Sequence, residues 1–139
     1  MAKRLHVAVA VIINDAQQVL LALRQAHQHQ GGLWEFPGGK VEEAESVYQA
    51  LVREIEEEVG ITIITAQAFL ELNHDYDDKS VLLDVWLVDE HSGEARGREG
   101  QQLRWCAIDE LREEDFPAAN NEIILALKLK SYLASSLGI

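Results

Sequence analysis

The chain has 139 residues, with 24 acidic side chains against 12 lysines and arginines, and a formal net charge of −12 at pH 7. This charge argues against DNA or RNA polymers as partners, because phosphate backbones are bound by clusters of lysine and arginine. With 47% hydrophobic residues, the length predicts a single domain over residues 1–139, and we expect a monomer. The lone cysteine, Cys106, excludes an internal disulfide and indicates a reducing cytoplasm and a buried thiol.

The first apolar run, residues 7–13, follows Lys3-Arg4 and superficially imitates a signal peptide. It is short and ends at Asn14-Asp15, and no later segment is long and apolar enough to span a membrane, so we expect no membrane association. A buried strand is the better interpretation. A second apolar run, residues 19–23, follows the turn-forming Asn14-Asp15, and the two runs predict a β-hairpin.

Residues 26–32 are polar and end in glycine, which predicts a surface loop. Its histidines, His27 and His29, are expected to be solvated rather than to bind a metal. An aromatic segment follows, in which Trp34 is expected in the core. Phe36 is either a core residue or a surface on which a nucleobase stacks.

A glycine pair, Gly38-Gly39, precedes a long helical segment. Residues 45–59 contain neither glycine nor proline, which predicts a helix that stops at Gly60. Tyr48, Val52, Ile55 and Val59 are expected to form its core-facing stripe. Three carboxylates at helical spacing share one face of this helix: Glu54, Glu57 and Glu58.

This acidic cluster lies where the helix dipole is negative, so stability alone does not favour it. Two positive groups could compensate: Arg53, reaching Glu57 or Glu56 along the helix, and a hard divalent cation, which prefers oxygen ligands. The alternative is a solvated acidic helix end. The glycine pair favours the cation, because it lets a main-chain carbonyl approach an ion, and the adjacent Lys40 can contact phosphate.

The rest of the chain predicts strands over residues 62–72, 81–88 and 102–108 and a closing amphipathic helix over residues 121–133. Residues 73–80 and 90–102 are expected to be loops, and Asp84 is expected to face solvent or a partner. Together these elements predict an α+β or α/β sandwich with a mixed β-sheet.

Nine residues from Gly39 to Ile61 have identities and spacing that resemble the signature of the Nudix hydrolase family. The specified positions are Gly39, Glu45, Arg53-Glu54-Ile55, Glu57-Glu58 and Gly60-Ile61. Ala44 stands where many relatives have glycine. This resemblance implies the Nudix α/β/α sandwich and hydrolysis of a nucleoside triphosphate to monophosphate and pyrophosphate, assisted by Mg²⁺ or Mn²⁺.

Three segments, residues 33–40, 97–101 and 115–120, carry a wider resemblance that runs from about residue 5 to about residue 130. It is to the MutT-type branch of the family, which removes oxidised purine nucleotides such as 8-oxo-dGTP. It implies a metal shell of Glu54, Glu57, Glu58 and Glu99 with the Gly38 or Gly39 carbonyl. By the same resemblance Glu54 or Glu99 is the general base, and Arg53 orients the carboxylates. The implied substrate contacts are Arg24, Phe36, Lys79 and Asn120, although Lys79 lacks the guanidinium fork of arginine. Lys40, expected from its place beside the glycine pair to contact phosphate, is a fifth predicted substrate contact.

Three alternatives stay open. Asn120 could cap the last helix instead of binding the base. The substrate could be another nucleotide, such as a cytidine triphosphate or a nucleoside diphospho-sugar, because the signature does not determine the base. A nucleotide-sensing domain without catalysis is a third interpretation, which the complete set of carboxylates disfavours.

Overall fold

A computed structural model describes residues 4–26 and 31–136, so the predicted histidines of the loop, His27 and His29, lie outside the described residues. Within these ranges the chain forms seven strands, two α-helices and three short 3-10 turns. The strands are β1 (Arg4–Ile12), β2 (Gln18–Leu23), β3 (Trp34–Glu35), β4 (Gly38–Lys40), β5 (Thr62–Asp75), β6 (Ser80–Ser92) and β7 (Leu103–Ala107). The helices are α1 (Val47–Val59) and α2 (Asn121–Ser136), and the turns are Ile108–Glu110, Glu113–Asp115 and Ala118–Asn120.

The strands form two sheets. The larger has the order β4-β1-β6-β5, in which β1 and β6 run parallel and the other neighbours antiparallel. The smaller is antiparallel, with the order β3-β2-β7. The predicted mixed sheet is therefore confirmed.

Each helix packs on an opposite face of the strands. Successive side chains of a strand point to opposite faces, and in β1 Ala8, Ala10 and Ile12 join the apolar cluster under α1. Val9 and Val11 join the cluster under α2 instead. The strands thus lie between two helical layers, as the predicted α/β/α sandwich requires.

The predicted hairpin over residues 7–23 is wrong. The turn at Asn14 does form, and the Asn14 side-chain oxygen accepts hydrogen bonds from the backbone N–H groups of Ala16 and Gln18. Beyond it, however, the described residues show one isolated bridge, between Ile13, which follows β1, and Val19, and the two strands enter different sheets. β1 has β4 and β6 on its two edges, so β2 pairs with β3 and β7 instead.

Strands β5 and β6 are longer than their apolar runs. They take in half of the loop predicted at residues 73–80 and leave a tight turn, which the Tyr76 N–H closes by donating to the Lys79 carbonyl at 2.8 Å. The start of the predicted loop at residues 90–102 likewise belongs to β6. The ends of these strands carry polar side chains, so the apolar pattern did not predict that they are paired.

Asp84, expected to face solvent or a partner, is buried because β6 lies between β1 and β5. One carboxylate oxygen lies 3.0 Å from His6 Nε2, and the other accepts from Trp86 Nε1 at 2.9 Å. Its partners are therefore within the chain. Cys106 is buried in β7, as predicted.

Helix α1 ends at Gly60, as predicted, with φ at 71°. It begins at Ser46, whose hydroxyl accepts from the Gln49 N–H while the Gln49 side chain accepts from the Ser46 N–H. Its buried face is centred on Leu51, Ile55 and Val59. Tyr48, expected in that stripe, is 37% exposed and sets its ring edge-on against Trp86.

Helix α2 covers the predicted range and extends to Ser136. None of the helices in the described ranges is long and apolar enough to cross a membrane.

Candidate active site

The glycine pair lies directly against helix α1. A side chain on Gly38 would meet the Ala8 carbonyl oxygen at 2.1 Å, and one on Gly39 would meet the Glu54 carboxylate at 2.2 Å. The Gly38 N–H donates a hydrogen bond to Glu58 Oε2 at 3.2 Å. Only glycine fits at position 38, and a side chain at position 39 would displace the Glu54 carboxylate, so the close approach brings the main chain of β4 to the acidic face of α1.

Arg53 connects the loop before α1 to the acidic face. Its guanidinium holds both carboxylate oxygens of Glu45, from Nε at 2.8 Å and Nη2 at 2.9 Å. Nη1 donates to Glu54 Oε1 at 2.8 Å and Nη2 to the Lys40 carbonyl at 3.2 Å. Glu57 lies 3.5 Å from Nη1. Such bidentate, charge-assisted pairing fixes the orientation of a carboxylate.

The three helix carboxylates share one face but differ in environment. The side chain of Glu57 is 59% exposed and that of Glu54 is 22% exposed. Glu58 is buried at 9% relative exposure, below Gly38. The three carboxylates of the predicted cluster therefore differ in exposure, from the exposed Glu57 to the buried Glu58.

Burial and like charge shift the pKa values of these acids. Burial raises the pKa of Glu58 to about 8, and repulsion from Glu35, Glu99 and Glu54 adds to the effect. Burial also raises the pKa of Glu54, with further repulsion from Glu57 and Glu99, although its bond to Arg53 opposes the shift. Glu99, from a distant loop, therefore adds to the negative charge that acts on both helix carboxylates.

Glu45 has the opposite shift. Its hydrogen bonds with Arg53 lower its pKa to about 2. The Arg53 pKa is raised in return, first by Glu45 and then by Glu54. Glu45 therefore stays ionised and anchors Arg53. The Nudix-type spacing included Glu45, but we predicted no role for it.

The loop after β6, residues 93–102, closes the C-terminal end of α1. The Arg98 N–H and the Gln101 side chain both donate to the Glu58 carbonyl, at 3.1 and 3.0 Å. Arg98 Nη1 donates to the Glu56 carbonyl at 3.1 Å, and the Arg96 N–H to the Val59 carbonyl at 3.0 Å. Positive charge and donors at the negative helix end thus come from a segment distant in sequence.

A cleft of about 210 Å³ opens beside the Gly38–Glu58 contact. Four of the five predicted substrate contacts line it: Arg24, Phe36, Lys79 and Asn120. They come from four separate parts of the chain. Lys40, the fifth, is exposed and does not line this cleft, and its carbonyl is bound by Arg53.

Contacts with other residues of the chain hold the aromatic and amide groups that line the cleft. Phe36 is 4% exposed and stacks on Phe116 with ring centroids 5.5 Å apart, so it is both a core residue and a wall. The Asn120 side-chain nitrogen donates to the Pro117 carbonyl at 3.4 Å. A cap needs the side-chain oxygen to accept from a helical N–H, and within the described part of the chain Asn120 forms no such bond.

Glu35 is a site residue that we did not predict. It lines the cleft, and its Oε2 accepts from Arg24 Nη1 at 2.6 Å. Burial raises its pKa, although Arg24 opposes the shift. The sequence does carry a signal for a site role of Glu35, because this acidic residue stands between Trp34 and Phe36 in an otherwise apolar segment. Trp34 itself is half-buried against the core, with the Arg104 guanidinium 5.4 Å from its ring centroid.

The donors at this site fit a hard divalent cation. In the described part of the chain, no three carboxylate, imidazole or thiol groups already surround one point. The donors are nevertheless all oxygen, and the buried Glu58 is repelled by three other carboxylates, a repulsion that a cation would relieve.

Comparison with known proteins is consistent with this geometry. Residues 8–126 match the family model described as NUDIX domain. The chain is 40% identical to an 8-oxo-dGTP diphosphatase of Escherichia coli K12 over 91% of its length and 98% of the relative. It is 37% identical to the CTP pyrophosphohydrolase of the same organism, over 95% of the chain and 93% of the relative.

A solved structure from a study of MutT from Aliivibrio salmonicida and Vibrio cholerae superposes with a TM-score of 0.79. It is 42% identical and covers 92% of this chain and 99% of its own. The chain combines a glycine pair set against an acidic helix, an arginine hydrogen-bonded to Glu54 of that helix, and a family match over residues 8–126. This protein therefore belongs to the Nudix hydrolase family.

Proposed function

We propose that the protein hydrolyses nucleoside triphosphates to nucleoside monophosphate and pyrophosphate, with 8-oxo-dGTP as its preferred substrate. Its role would be to remove oxidised nucleotides before they are incorporated into DNA. The observation that carries this proposal is the cleft lined by Arg24, Phe36, Lys79 and Asn120, which opens beside Gly38 and the acidic face of α1. The curated relative named 8-oxo-dGTP diphosphatase, which the chain matches over 91% of its length, supports the same substrate.

The acidic face would hold Mg²⁺, or Mn²⁺, through Glu54, Glu57, Glu58 and Glu99 together with the carbonyl of Gly38 or Gly39. A bound divalent cation neutralises phosphate oxygens and lowers the pKa of a water ligand. Arg53 keeps Glu54 oriented through the Glu45 anchor, so it acts on the carboxylates and not on the substrate.

Glu54 or Glu99 would accept the proton of the attacking water. Burial raises the pKa of Glu54 above that of an ordinary carboxylate, which makes it a stronger base. The water oxygen forms a bond to the β-phosphorus. The bond between that phosphorus and the α,β-bridging oxygen breaks, so the monophosphate leaves and the water oxygen stays in pyrophosphate.

The cleft would bind the nucleotide itself. Phe36 offers an apolar wall to the base, and Asn120 offers a donor and an acceptor to its edge. Arg24, held by Glu35, lies close enough to contact the base or a phosphate. Lys79 reaches the cleft from the β5–β6 turn, and the exposed Lys40 lies outside it as a possible phosphate contact. We propose that one chain forms the whole site, as a monomer acting on a small nucleotide.

CTP is the second candidate substrate, favoured by the similarity to a CTP pyrophosphohydrolase at 37% identity. A pyrimidine and an oxidised purine present different edges to Asn120, so the two proposals differ in the cleft and not in the acidic face. A non-catalytic sensor is disfavoured, because all the acidic groups of the proposed metal site are present.

The deciding experiment is steady-state turnover of purified protein on 8-oxo-dGTP, dGTP and CTP, each with Mg²⁺ and with excess EDTA. We expect the highest kcat/KM on 8-oxo-dGTP. In excess EDTA we expect no turnover of any of the three nucleotides. Hydrolysis in ¹⁸O-water should label pyrophosphate and not the monophosphate. A higher kcat/KM on CTP would transfer the proposal to the second substrate, and EDTA-resistant turnover would refute the metal role.

A further inference from the structure

Gln101 links the two parts of the chain that carry the acidic groups. Its side-chain Nε2 donates to the Glu58 carbonyl at 3.0 Å. Its side-chain Oε1 accepts from the Glu99 N–H at 2.9 Å. One amide group therefore joins the last turn of α1 to the peptide of Glu99, although 43 residues separate Gln101 from Glu58 in sequence.

The surrounding loop is shaped around this side chain. A Cβ on Gly97 would lie 1.9 Å from the Gln101 carbonyl oxygen and 3.1 Å from its side-chain Oε1, so Gly97 leaves room for both. The Gly100 N–H donates to the Gly97 carbonyl, and Gly100 has a φ of 82°. This tight turn brings the Glu99 N–H to the Gln101 amide.

Glu99 needs such a restraint because its neighbours repel it. Its charge contributes to the raised pKa values of both Glu58 and Glu54. This repulsion disfavours holding the Glu99 carboxylate near the acids of the helix. Besides the Gln101 contact, the Glu99 peptide is held by its carbonyl, which accepts from Gln25 Nε2 at 3.3 Å.

We infer that Gln101 is a positioning residue that holds Glu99 beside Glu58, so that loop and helix carboxylates can share one divalent cation. This inference rests on the proposed metal role of Glu99. Glutamine suits the task because its amide carries a donor and an acceptor on one neutral group. A residue with only one of these functions would fasten the helix or the loop but not both.

The simpler alternative is that Gln101 only caps the helix. Two donors already serve the same carbonyl, since the Arg98 N–H also reaches Glu58 O at 3.1 Å. A pure cap would affect helix stability without affecting Glu99. The acceptor half of the Gln101 amide is therefore the part that distinguishes the two roles.

The test uses Gln101→Met, which keeps side-chain length and loses both hydrogen bonds, and Gln101→Asn, which keeps the amide on a shorter side chain. The matched control is Gln67→Met, because Gln67 is a β5 glutamine whose side chain donates to Asp89 at 3.2 Å, away from the site. Two readouts need no turnover: hydrogen exchange of the Glu99 amide by NMR, and Mn²⁺ affinity from the electron paramagnetic resonance signal of free Mn²⁺.

Both Gln101 variants should exchange the Glu99 amide about tenfold faster and bind Mn²⁺ about 10-fold more weakly, within the range for a residue that supports a metal ligand. Gln67→Met should match the wild type in both. In a Glu99→Gln background, Gln101→Met should cause no further loss of Mn²⁺ affinity, because its effect acts through Glu99. If Gln101→Met does not fold, Gln101→Asn gives the same comparison.

The outcomes separate this inference from the proposed function. If Glu99→Gln weakens Mn²⁺ binding but neither Gln101 variant does, the positioning role of Gln101 is wrong and the proposed function is unaffected. A loss of affinity that is additive with Glu99→Gln would make Gln101 a helix cap. If Glu99→Gln itself leaves Mn²⁺ affinity unchanged, the metal role of Glu99 fails and this inference fails with it.

Discussion

Replacing Glu58 with glutamine is expected to stabilise the metal-free protein at alkaline pH. Glu58 is buried at 9% relative exposure, and its pKa is about 8 in the folded chain against 4.5 as the ordinary value. Between these two pH values the folded chain holds a proton that the unfolded chain has released. The free energy of unfolding therefore falls as pH rises from about 4.5 to about 8.

The size of the effect follows from the shift. A rise from 4.5 to about 8 corresponds to roughly 5 kcal/mol at about 1.4 kcal/mol per pKa unit. This is an upper bound, because water entry and side-chain rearrangement lower the cost of burying the charge. Glutamine keeps an oxygen that can accept from the Gly38 N–H and removes the charge. We expect Glu58→Gln to gain at least ~2 kcal/mol over wild type at pH 8.5 and nothing at pH 5.

Urea unfolding in EDTA, followed by circular dichroism from pH 5 to pH 8.5, measures this difference. Glu56→Gln is the matched control, because Glu56 is an exposed carboxylate two residues away on the same helix. Mg²⁺ at about 100 times its dissociation constant should stabilise wild type by about 2.7 kcal/mol and Glu58→Gln much less. Wild-type stability that is flat or rising over this pH range, or an equal gain in Glu56→Gln, would refute the reasoning.

Three further changes test separate parts of the site. Arg53→Ala should lower kcat more than it raises KM, because Arg53 holds Glu54 and does not line the cleft; steady-state kinetics in which KM alone changes would contradict this. Asn120→Ala should reduce the preference for 8-oxo-dGTP over dGTP by about 1–3 kcal/mol, measured as the ratio of kcat/KM values, whereas parallel losses with a lower melting temperature would indicate a structural role. Ala44→Gly should raise the free energy of unfolding by up to about 1 kcal/mol, because Ala44 has a φ of 65°; an unchanged or lower urea midpoint would show that the strain is absent.

Helix α1 was predictable because its determinants are local. The stop at Gly60 and the shared face of Glu54, Glu57 and Glu58 depend only on residues within four positions of one another. Gly39 and Arg53 were identified by their spacing in the Nudix-type signature. The signature, however, did not indicate that Glu58 is buried and Glu57 exposed, because that difference depends on Gly38 lying against the helix.

The parts that sequence did not predict depend on long-range pairing. The predicted hairpin is wrong because β1 pairs with β4 and β6, two strands from later in the chain. The Arg24–Glu35 ion pair and the contact of Gln101 with Glu58 likewise join residues whose separation carries no local pattern. The cleft could be assembled only by analogy with a family, and the structure brings the four substrate contacts chosen in this way to one place.

Two small side chains in the central strand control how closely helix α1 approaches the sheet. Ala8 and Ala10 have no exposed surface and lie in the cluster beneath α1. The Ala8 carbonyl also occupies the space that a side chain on Gly38 would need. A single methyl group added at either alanine would act as a spacer, lifting the helix and its acids away from the glycine pair. The distance between the helix acids and the glycine pair thus depends on two residues outside the cleft. A search for variants with altered activity would overlook these residues if it were confined to the cleft.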